Sequence, residues 1–125
     1  MAREIEDRHL DALLVFDPVS QNYLTGYQTM ELTHFRCLLV SPKASSSMVT
    51  SNFERPGVEL TSCVDDVSEY HYLNGDYLGA TLGSLSRLSP RAKRVGIEKD
   101  AALLTPVRYE GLLAALRGAE VSPEG

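Results

Sequence analysis

The chain has 125 residues and a mass of 13.7 kDa, which suits one domain that buries roughly two thirds of its unfolded surface. Its 43% hydrophobic residues form no run near the ~20 apolar residues of a membrane span, and its net charge of -5 argues against nucleic acid. The acidic start, MAREIEDRHLD, lacks the apolar core of a signal peptide, so we expect a cytoplasmic protein.

The first predicted elements are a buried strand and a capped helix, which follow a helix-prone, charged segment at residues 2–9. Leu13–Phe16 carries no charge on either face, as expected for a central strand that helices cover on both sides. Asp17 is suited to cap the next helix and Pro18 to lie in its first turn. Gly26 is suited to end that helix.

A β-hairpin is predicted next. Two apolar segments, Phe35–Val40 and Ser47–Thr50, flank a turn rich in Pro and Ser, so part of the sheet should be antiparallel. After the hairpin we expect a short helix at Glu54–Val58, a brief strand around Leu60–Val64, and a polar connection over Asp65–Asn74.

The helix with the strongest periodic pattern is predicted at Gly75–Leu88. Leucines at 78, 82 and 85 follow the i, i+4, i+7 spacing of one helix face. Glycines at 75, 79 and 83 form an adjacent stripe, each costing about 1 kcal/mol relative to alanine. We interpret the stripe as a place where the helix backbone approaches the sheet closely.

The last third of the chain predicts a strand, a helix and another strand. Arg94–Glu98 is the strand, and Thr105-Pro106 opens a helix that carries three leucines and ends at Gly118. Ala119–Ser122 begins a final strand, and we expect the natural chain to continue beyond it into another domain. This order predicts a three-layer α/β/α fold with a mixed sheet that includes one hairpin.

A hydrolase requires a nucleophile with a base, a metal with its ligands, or a carboxylate pair. The histidines are scattered (His9, His34 and His71), without the spacing of metal ligands. Asp65-Asp66 could bind a cation but is typical of a solvated turn. Cys63 with His71 lacks a third group that would orient the pair. We therefore predict no catalytic, metal-binding or cofactor-binding residue in this chain.

The cysteines and one basic cluster allow two interpretations each. Cys37 and Cys63 lie in apolar segments and are expected to be buried free thiols, although a disulfide between them stays open. Four cations at 87–94 could bind phosphate, but a solvated loop between a helix and a strand is favoured because no aromatic residues interleave with them.

Three motifs, in order, carry a family resemblance over nearly the whole chain: LDALLVFDP with YLTG, FRCLLVSP with SMVTSNFE, and VGIEKDAALLTPVRYEGLLAAL. This pattern resembles the amino-terminal domain of the creatinase / prolidase / aminopeptidase P family. The resemblance implies a ribonuclease H-like α/β domain spanning residues 1–125. It also implies a parent protein with a separate pita-bread catalytic domain, which in the metallopeptidase members holds two divalent metals such as Mn.

The resemblance implies a supporting role for this domain, through dimer formation and narrowing of the active-site entrance. The loop from Tyr27 to Phe35 would reach towards a neighbouring active site, with His34 and Arg36 as candidates at the substrate entrance. The Phe-x-Arg substrate clamp of creatine-hydrolysing members is not clearly reproduced at 33–36. The expected function is that of a non-catalytic domain of a C–N bond hydrolase, acting on Xaa-Pro peptides or creatine-like compounds. The alternative is a free-standing binding or interaction module of the same fold.

Overall fold

The computed structural model describes residues 5, 8–28, 34–73, 75–98, 101 and 103–124. The strands are β1 (Ala12–Val15), β2 (Cys37–Val40), β3 (Ser46–Ser51), β4 (Asp66–Tyr70), β5 (Arg94–Glu98) and β6 (Glu120–Glu124). The helices with described bounds are α1 (Pro18–Thr25), α2 (Arg55–Thr61), α3 (Tyr77–Leu88) and α4 (Pro106–Ala115). The predicted helix at residues 2–9 lies mostly outside the described residues.

The described strands form one mixed sheet in the order β4-β3-β2-β1-β5-β6. β2 runs antiparallel to both of its neighbours, β1 and β3. The other adjacent pairs are parallel, so the remaining strands share one direction. The hairpin β2–β3 confirms the predicted antiparallel part, and β1 is a central strand, as its uncharged sequence predicts.

Helices cover both faces of the sheet, which confirms the three-layer α/β/α prediction. Leu85 of α3 and Leu112 of α4 pack on one face, in a cluster that includes Leu14 of β1. Val58 of α2 packs on the other face with Val15 of β1. Because alternate residues of a strand point to opposite faces, β1 supplies both cores.

The caps of α1 form as predicted. The Asp17 side chain accepts a hydrogen bond from Ser20 N, and Pro18 occupies the first turn. Gly26 ends the helix with a φ of 81°, a left-handed conformation that glycine adopts without strain. Thr105 caps α4 in the same way, by accepting from Arg108 N.

The predictions for residues 54–74 were wrong in part. The helix runs over Arg55–Thr61, so Leu60–Val64 is not a strand. The strand is β4, Asp66–Tyr70, within the predicted polar connection. β4 lies at the edge of the sheet, and its polar side chains are half-buried or exposed for that reason. A search for apolar runs therefore missed it.

The interpretation of the glycine stripe was also wrong. α3 begins at Tyr77, after Gly75, and its buried face consists of Thr81, Ser84 and Leu85. Gly79 is exposed and lies beside the Asp76 cap rather than beside the sheet. The prediction for α4 was closer, although this helix ends at Ala115 and not at Gly118.

No helix among the described residues is long and apolar enough to cross a membrane.

Candidate functional site

Chain segments with polar and aromatic residues meet at the carboxyl edge of the sheet. The parallel strands β1, β3, β4 and β5 end at this edge, and the antiparallel β2 begins there. In open α/β sheets this is the edge where ligands usually bind. It brings together residues that are distant in sequence, including His34 before β2, Phe53 after β3 and Tyr72 after β4.

Four rings form an edge patch, defined here as His34, Phe53, His71 and Tyr72. The Tyr72 ring is central, because its centroid lies 4.3 Å from that of Phe53, 5.1 Å from that of His71 and 5.9 Å from that of His34. Phe53 is 67% exposed, and Leu73 next to Tyr72 is 72% exposed. A group of aromatic and imidazole rings that is partly exposed is typical of a surface that contacts another molecule.

Asn52 joins the two turns that carry this patch. Its backbone N–H donates to Tyr70 O, and its side-chain oxygen accepts from Tyr72 N, both at 2.9 Å. The turn with Phe53 and the turn with Tyr72 are therefore held in fixed relation. Sequence reasoning missed Phe53 and Tyr72, although large aromatic residues directly after β-strands would have been a usable signal.

Behind the patch lies a buried ion pair between Arg36 and Glu54, with 1% and 8% of the side chains exposed. Arg36 Nη1 lies 3.1 Å from Glu54 Oε2 and 3.3 Å from Oε1. Tyr27 donates from its hydroxyl to Glu54 Oε1 at 2.7 Å. Charge-assisted hydrogen bonds of this kind are the stronger ones in proteins.

Gln21 of α1 completes the network around Arg36. Its side-chain oxygen accepts from Arg36 Nε at 2.7 Å, while its nitrogen donates to Val15 O at 2.8 Å and to Arg36 O at 3.1 Å. One amide thus links the end of β1, helix α1 and the start of β2. Gln21, Tyr27 and Glu54 are distant from Arg36 in sequence and were not predicted as its partners.

The two entrance candidates occupy different environments. His34 is half-buried at the carboxyl edge, where its ring contacts Tyr72. Arg36, the other candidate at the substrate entrance, is buried in the ion pair with Glu54 and is not exposed at the edge. The role of both residues at a substrate entrance stays a prediction. Of the loop from Tyr27 to Phe35, residues 29–33 lie outside the described residues.

The opposite edge of the sheet holds a cavity of about 470 Å³, between the hairpin tip and the end of α3. Lys43 and Arg91 line it, together with Asp11 and three serines. Of the basic cluster, Arg87 pairs with Asp66 at 3.0 Å and Arg94 lies 3.7 Å from Glu120. This agrees with the favoured interpretation of the cluster as a solvated surface.

Asp66 takes part in a polar cluster between β4 and α3. Desolvation raises the pKa of its carboxyl, but hydrogen bonds from Ser47 and Arg87 outweigh that effect, so the pKa lies below its ordinary value. Asp65 accepts from Ser46 N at 2.9 Å. Within the described part of the chain, no three His, Cys, Asp or Glu side chains are grouped so that they could hold a metal ion.

Both cysteines are free thiols. Cys37 is buried as predicted, and desolvation followed by the nearby charge of Glu98 raises its pKa well above the ordinary value. The prediction for Cys63 was wrong, because this residue is exposed just after α2. It lies between Ser62 and Val64, two residues after the last residue of α2.

The fold and the order of motifs are those of a known domain class. A family model described as the Creatinase/Prolidase N-terminal domain matches residues 1–124. The chain therefore belongs to the creatinase/prolidase N-terminal domain family, and the resemblance inferred from the sequence motifs is confirmed. No curated protein matches the chain.

Solved structures agree with this assignment. A proline dipeptidase from Streptococcus pneumoniae TIGR4 is 25% identical, with a TM-score of 0.78 over 98% of this chain and 86% of that one. The N-terminal domain of Xaa-Pro dipeptidase from Lactobacillus brevis is 19% identical, with a TM-score of 0.79 over 97% and 87%. Prolidase from Pyrococcus furiosus is 13% identical, with a TM-score of 0.69 over 98% and 33%. The chain thus spans about a third of the Pyrococcus protein.

Proposed function

We propose that the chain is the non-catalytic N-terminal domain of a cytoplasmic C–N bond hydrolase, either an Xaa-Pro peptidase or a creatinase-like enzyme. The observation that carries this proposal is the family match over residues 1–124. The neighbours named as proline or Xaa-Pro dipeptidases favour the peptidase within that pair. Divalent metal ions such as Mn²⁺ would be held by the catalytic domain of the parent.

The carboxyl edge of the sheet is the proposed surface towards the catalytic domain. β6 runs parallel to β5, so the chain reaches Glu124 at this same edge. A domain that follows β6 would begin at this carboxyl edge, at the other end of the sheet from β3 and β4, whose turns carry Phe53, His71 and Tyr72. In this arrangement the patch, with His34, would narrow the entrance to an active site and orient the substrate there.

The second part of the proposed role is self-association into a dimer. Phe53 and Leu73 expose most of their apolar side chains at the carboxyl edge, beside the ends of residues 27–35. An apolar surface with a charged or polar surround is suited to contact with another chain. The proposed dimer would place this edge at or beside the subunit contact.

The test compares the 125-residue chain with the full-length product of its gene on a panel of Xaa-Pro dipeptides with Mn²⁺. We expect turnover by the full-length protein and none by the chain alone. Tyr72→Ala and His34→Ala should change kcat/KM in the full-length protein, whereas Glu110→Gln, an exposed carboxylate on α4, should not. Metal-dependent turnover by the chain alone, or wild-type kinetics for both edge variants, would contradict the proposal.

A further inference from the structure

We propose that Glu54 is a positioning residue, which holds both ends of the segment 27–36 and thereby fixes how His34 is presented at the carboxyl edge. Its significance for substrate rests on the proposed function. The contacts of Glu54 with Tyr27 and Arg36, here called the clamp, are a property of this chain and are tested on the chain.

Glu54 reaches the two ends of the segment through one carboxylate. At the first end it accepts from the Tyr27 hydroxyl at 2.7 Å, and at the second end it contacts the Arg36 guanidinium at 3.1 Å. All three side chains are at least nine-tenths buried. The Arg36 guanidinium carbon also lies 5.8 Å from the centre of the Tyr27 ring, so the two ends contact each other directly.

The second end is fixed on both faces of the sheet. Arg36 is held on the α1–α2 face by Gln21 and Glu54. Phe35 points to the other face, where its ring centroid lies 4.5 Å from that of Tyr77 and where its carbonyl accepts from the Tyr70 hydroxyl. His34 directly precedes these two anchored residues, which leaves its backbone little freedom.

Glu54 itself is fixed by the turn that carries the aromatic patch. Its N–H donates to Ser51 O at 3.1 Å, and its carbonyl accepts from Val58 N at 3.0 Å in the first turn of α2. Phe53 of the patch is the preceding residue. Glu54 is therefore connected to Phe53 directly along the backbone and to His34 through the ion pair with Arg36.

A buried ion pair holds neighbouring groups in one arrangement better than an apolar contact would. Removing two charges from water offsets much of their attraction, so such a pair adds little net stability relative to apolar residues of similar size. Its hydrogen bonds are directional, however, and they select one arrangement of the groups that they join. Compared with apolar residues of similar size, we therefore expect the pair to contribute more to the positions of Tyr27 and His34 than to net stability, although removal of one partner alone is destabilising.

The test measures backbone ¹⁵N order parameters on the chain and on the variants Glu54→Gln and Tyr27→Phe. Glu54→Gln should lower the values for Gln28 and His34 from about 0.85 towards 0.6 or below. Phe35, which Tyr70 and Tyr77 still hold, should keep its value, as should Leu14 and Val95 in the central strands. Tyr27→Phe, which leaves the ion pair intact, should affect Gln28 and leave His34 unchanged. This variant keeps the test valid if Glu54→Gln fails to fold.

The matched control is Glu59→Gln, which removes a carboxylate that pairs with Arg55 at 2.7 Å on the exposed face of α2. Glu59→Gln should leave all the order parameters named above unchanged. The clamp is overturned if Glu54→Gln changes no order parameter, or changes those of Leu14 and Val95 as much as that of His34. Either result would leave Glu54 with a general structural role or none.

Kinetics of the full-length protein separate the clamp from the proposed function. If both hold, Glu54→Gln should lower kcat/KM about as much as His34→Ala does, and the double variant should be no worse than either one, because both changes act through the same residue. Altered order parameters with unchanged kinetics would leave the clamp standing and would overturn the entrance role of His34.

Discussion

Glu98 Oε1 accepts a hydrogen bond from the backbone N–H of Asp17 at 2.7 Å, and the same oxygen accepts from Phe16 N at 2.9 Å. The contact joins the ends of the parallel strands β1 and β5. It also joins two of the sequence motifs that identify the family, because Asp17 belongs to LDALLVFDP and Glu98 to VGIE. The glutamate of that short motif therefore has a structural role, as an acceptor for the chain that leaves the central strand.

Replacing Glu98 by Ala should leave the N–H groups of Phe16 and Asp17 without their acceptor. The expected loss is about 1–3 kcal/mol of unfolding free energy for each N–H that finds no water. Glu98→Gln should lose less, because one amide oxygen can still accept both bonds. Urea denaturation followed by circular dichroism measures the difference, with Glu110→Ala as an exposed control. Equal stability of Glu98→Ala and the wild type would show that this contact is dispensable.

The sequence predicted the elements that have strong local signals. Asp17, Pro18 and Gly26 bound α1 as expected, because capping and helix ending depend on a few adjacent residues. The hairpin and the strand Arg94–Glu98 were equally evident. β4 was missed because an edge strand of polar residues gives no apolar run, and its pairing with β3 is a tertiary contact.

The candidate site was less accessible to prediction. His34 was identified from its position in the segment, but its neighbours Phe53 and Tyr72 come from other strands. The burial of Arg36 depends on Glu54, which is 18 residues away in sequence. Pairs of this kind depend on the topology of the sheet, and no single segment of the sequence contains both partners.

Arg36 and His34 should respond differently to alanine substitution. Arg36→Ala leaves the Glu54 carboxylate buried without its cation, and we expect a loss of about 3–5 kcal/mol. His34→Ala removes a ring contact with Tyr72 that is worth about 0.5–1.5 kcal/mol, so it should cost less than Arg36→Ala. Thermal and urea denaturation of both variants, with Glu59→Ala for an exposed pair, provide the measurement. A loss below about 1 kcal/mol for Arg36→Ala would contradict a structural role for the ion pair.

Three glycine-to-alanine substitutions should rank by what the added methyl group meets. At Gly75 the methyl carbon would lie 2.3 Å from the backbone nitrogen of His71, so the chain must shift and we expect a loss of about 1–3 kcal/mol or more. At Gly79 the nearest atoms belong to the end of the Asp76 side chain, at 2.3 Å, and a weakened cap is offset by about 1 kcal/mol of helix propensity. At Gly118 it meets nothing within 4 Å.

The midpoint temperatures of thermal unfolding measure this ranking, with Gly118→Ala as the matched control. Gly75→Ala should unfold at a clearly lower temperature than the other two variants. If Gly79→Ala is the least stable of the three, loss of the Asp76 cap costs more than the gain in helix propensity.

Asp11 should make stability depend on pH in the acidic range. Hydrogen bonds from the backbone N–H groups of Lys93 and Arg94, at 2.7 and 2.9 Å, lower the pKa of its carboxyl below the ordinary 3.8. A carboxyl whose pKa is lower in the folded state adds stability above the unfolded pKa, and this stability is lost as the pH falls through the folded pKa. The contribution is therefore complete at neutral pH and decreases below about pH 4.

Urea midpoints between pH 2 and 7 measure this dependence. Asp11→Asn should be less stable than the wild type at pH 7 and should approach it in acid. Glu110→Gln is the control, since its carboxylate is exposed on α4. A constant difference between Asp11→Asn and the wild type over the whole range would rule out this source of pH dependence.

The two cysteines should differ sharply in reactivity. Cys63 is exposed, whereas Cys37 lies buried in β2, where desolvation and the charge of Glu98 raise the pKa of its thiol. Since the thiolate is the reacting form, a buried thiol with a raised pKa reacts slowly even when reagent is in excess.

At pH 7.5 a thiol reagent should modify one cysteine of the folded chain quickly, and a second only after urea is added. Cys63→Ser should abolish the fast reaction, and Cys37→Ser should leave it unchanged. Fast modification of the Cys63→Ser variant would show that β2 opens readily at the centre of the sheet.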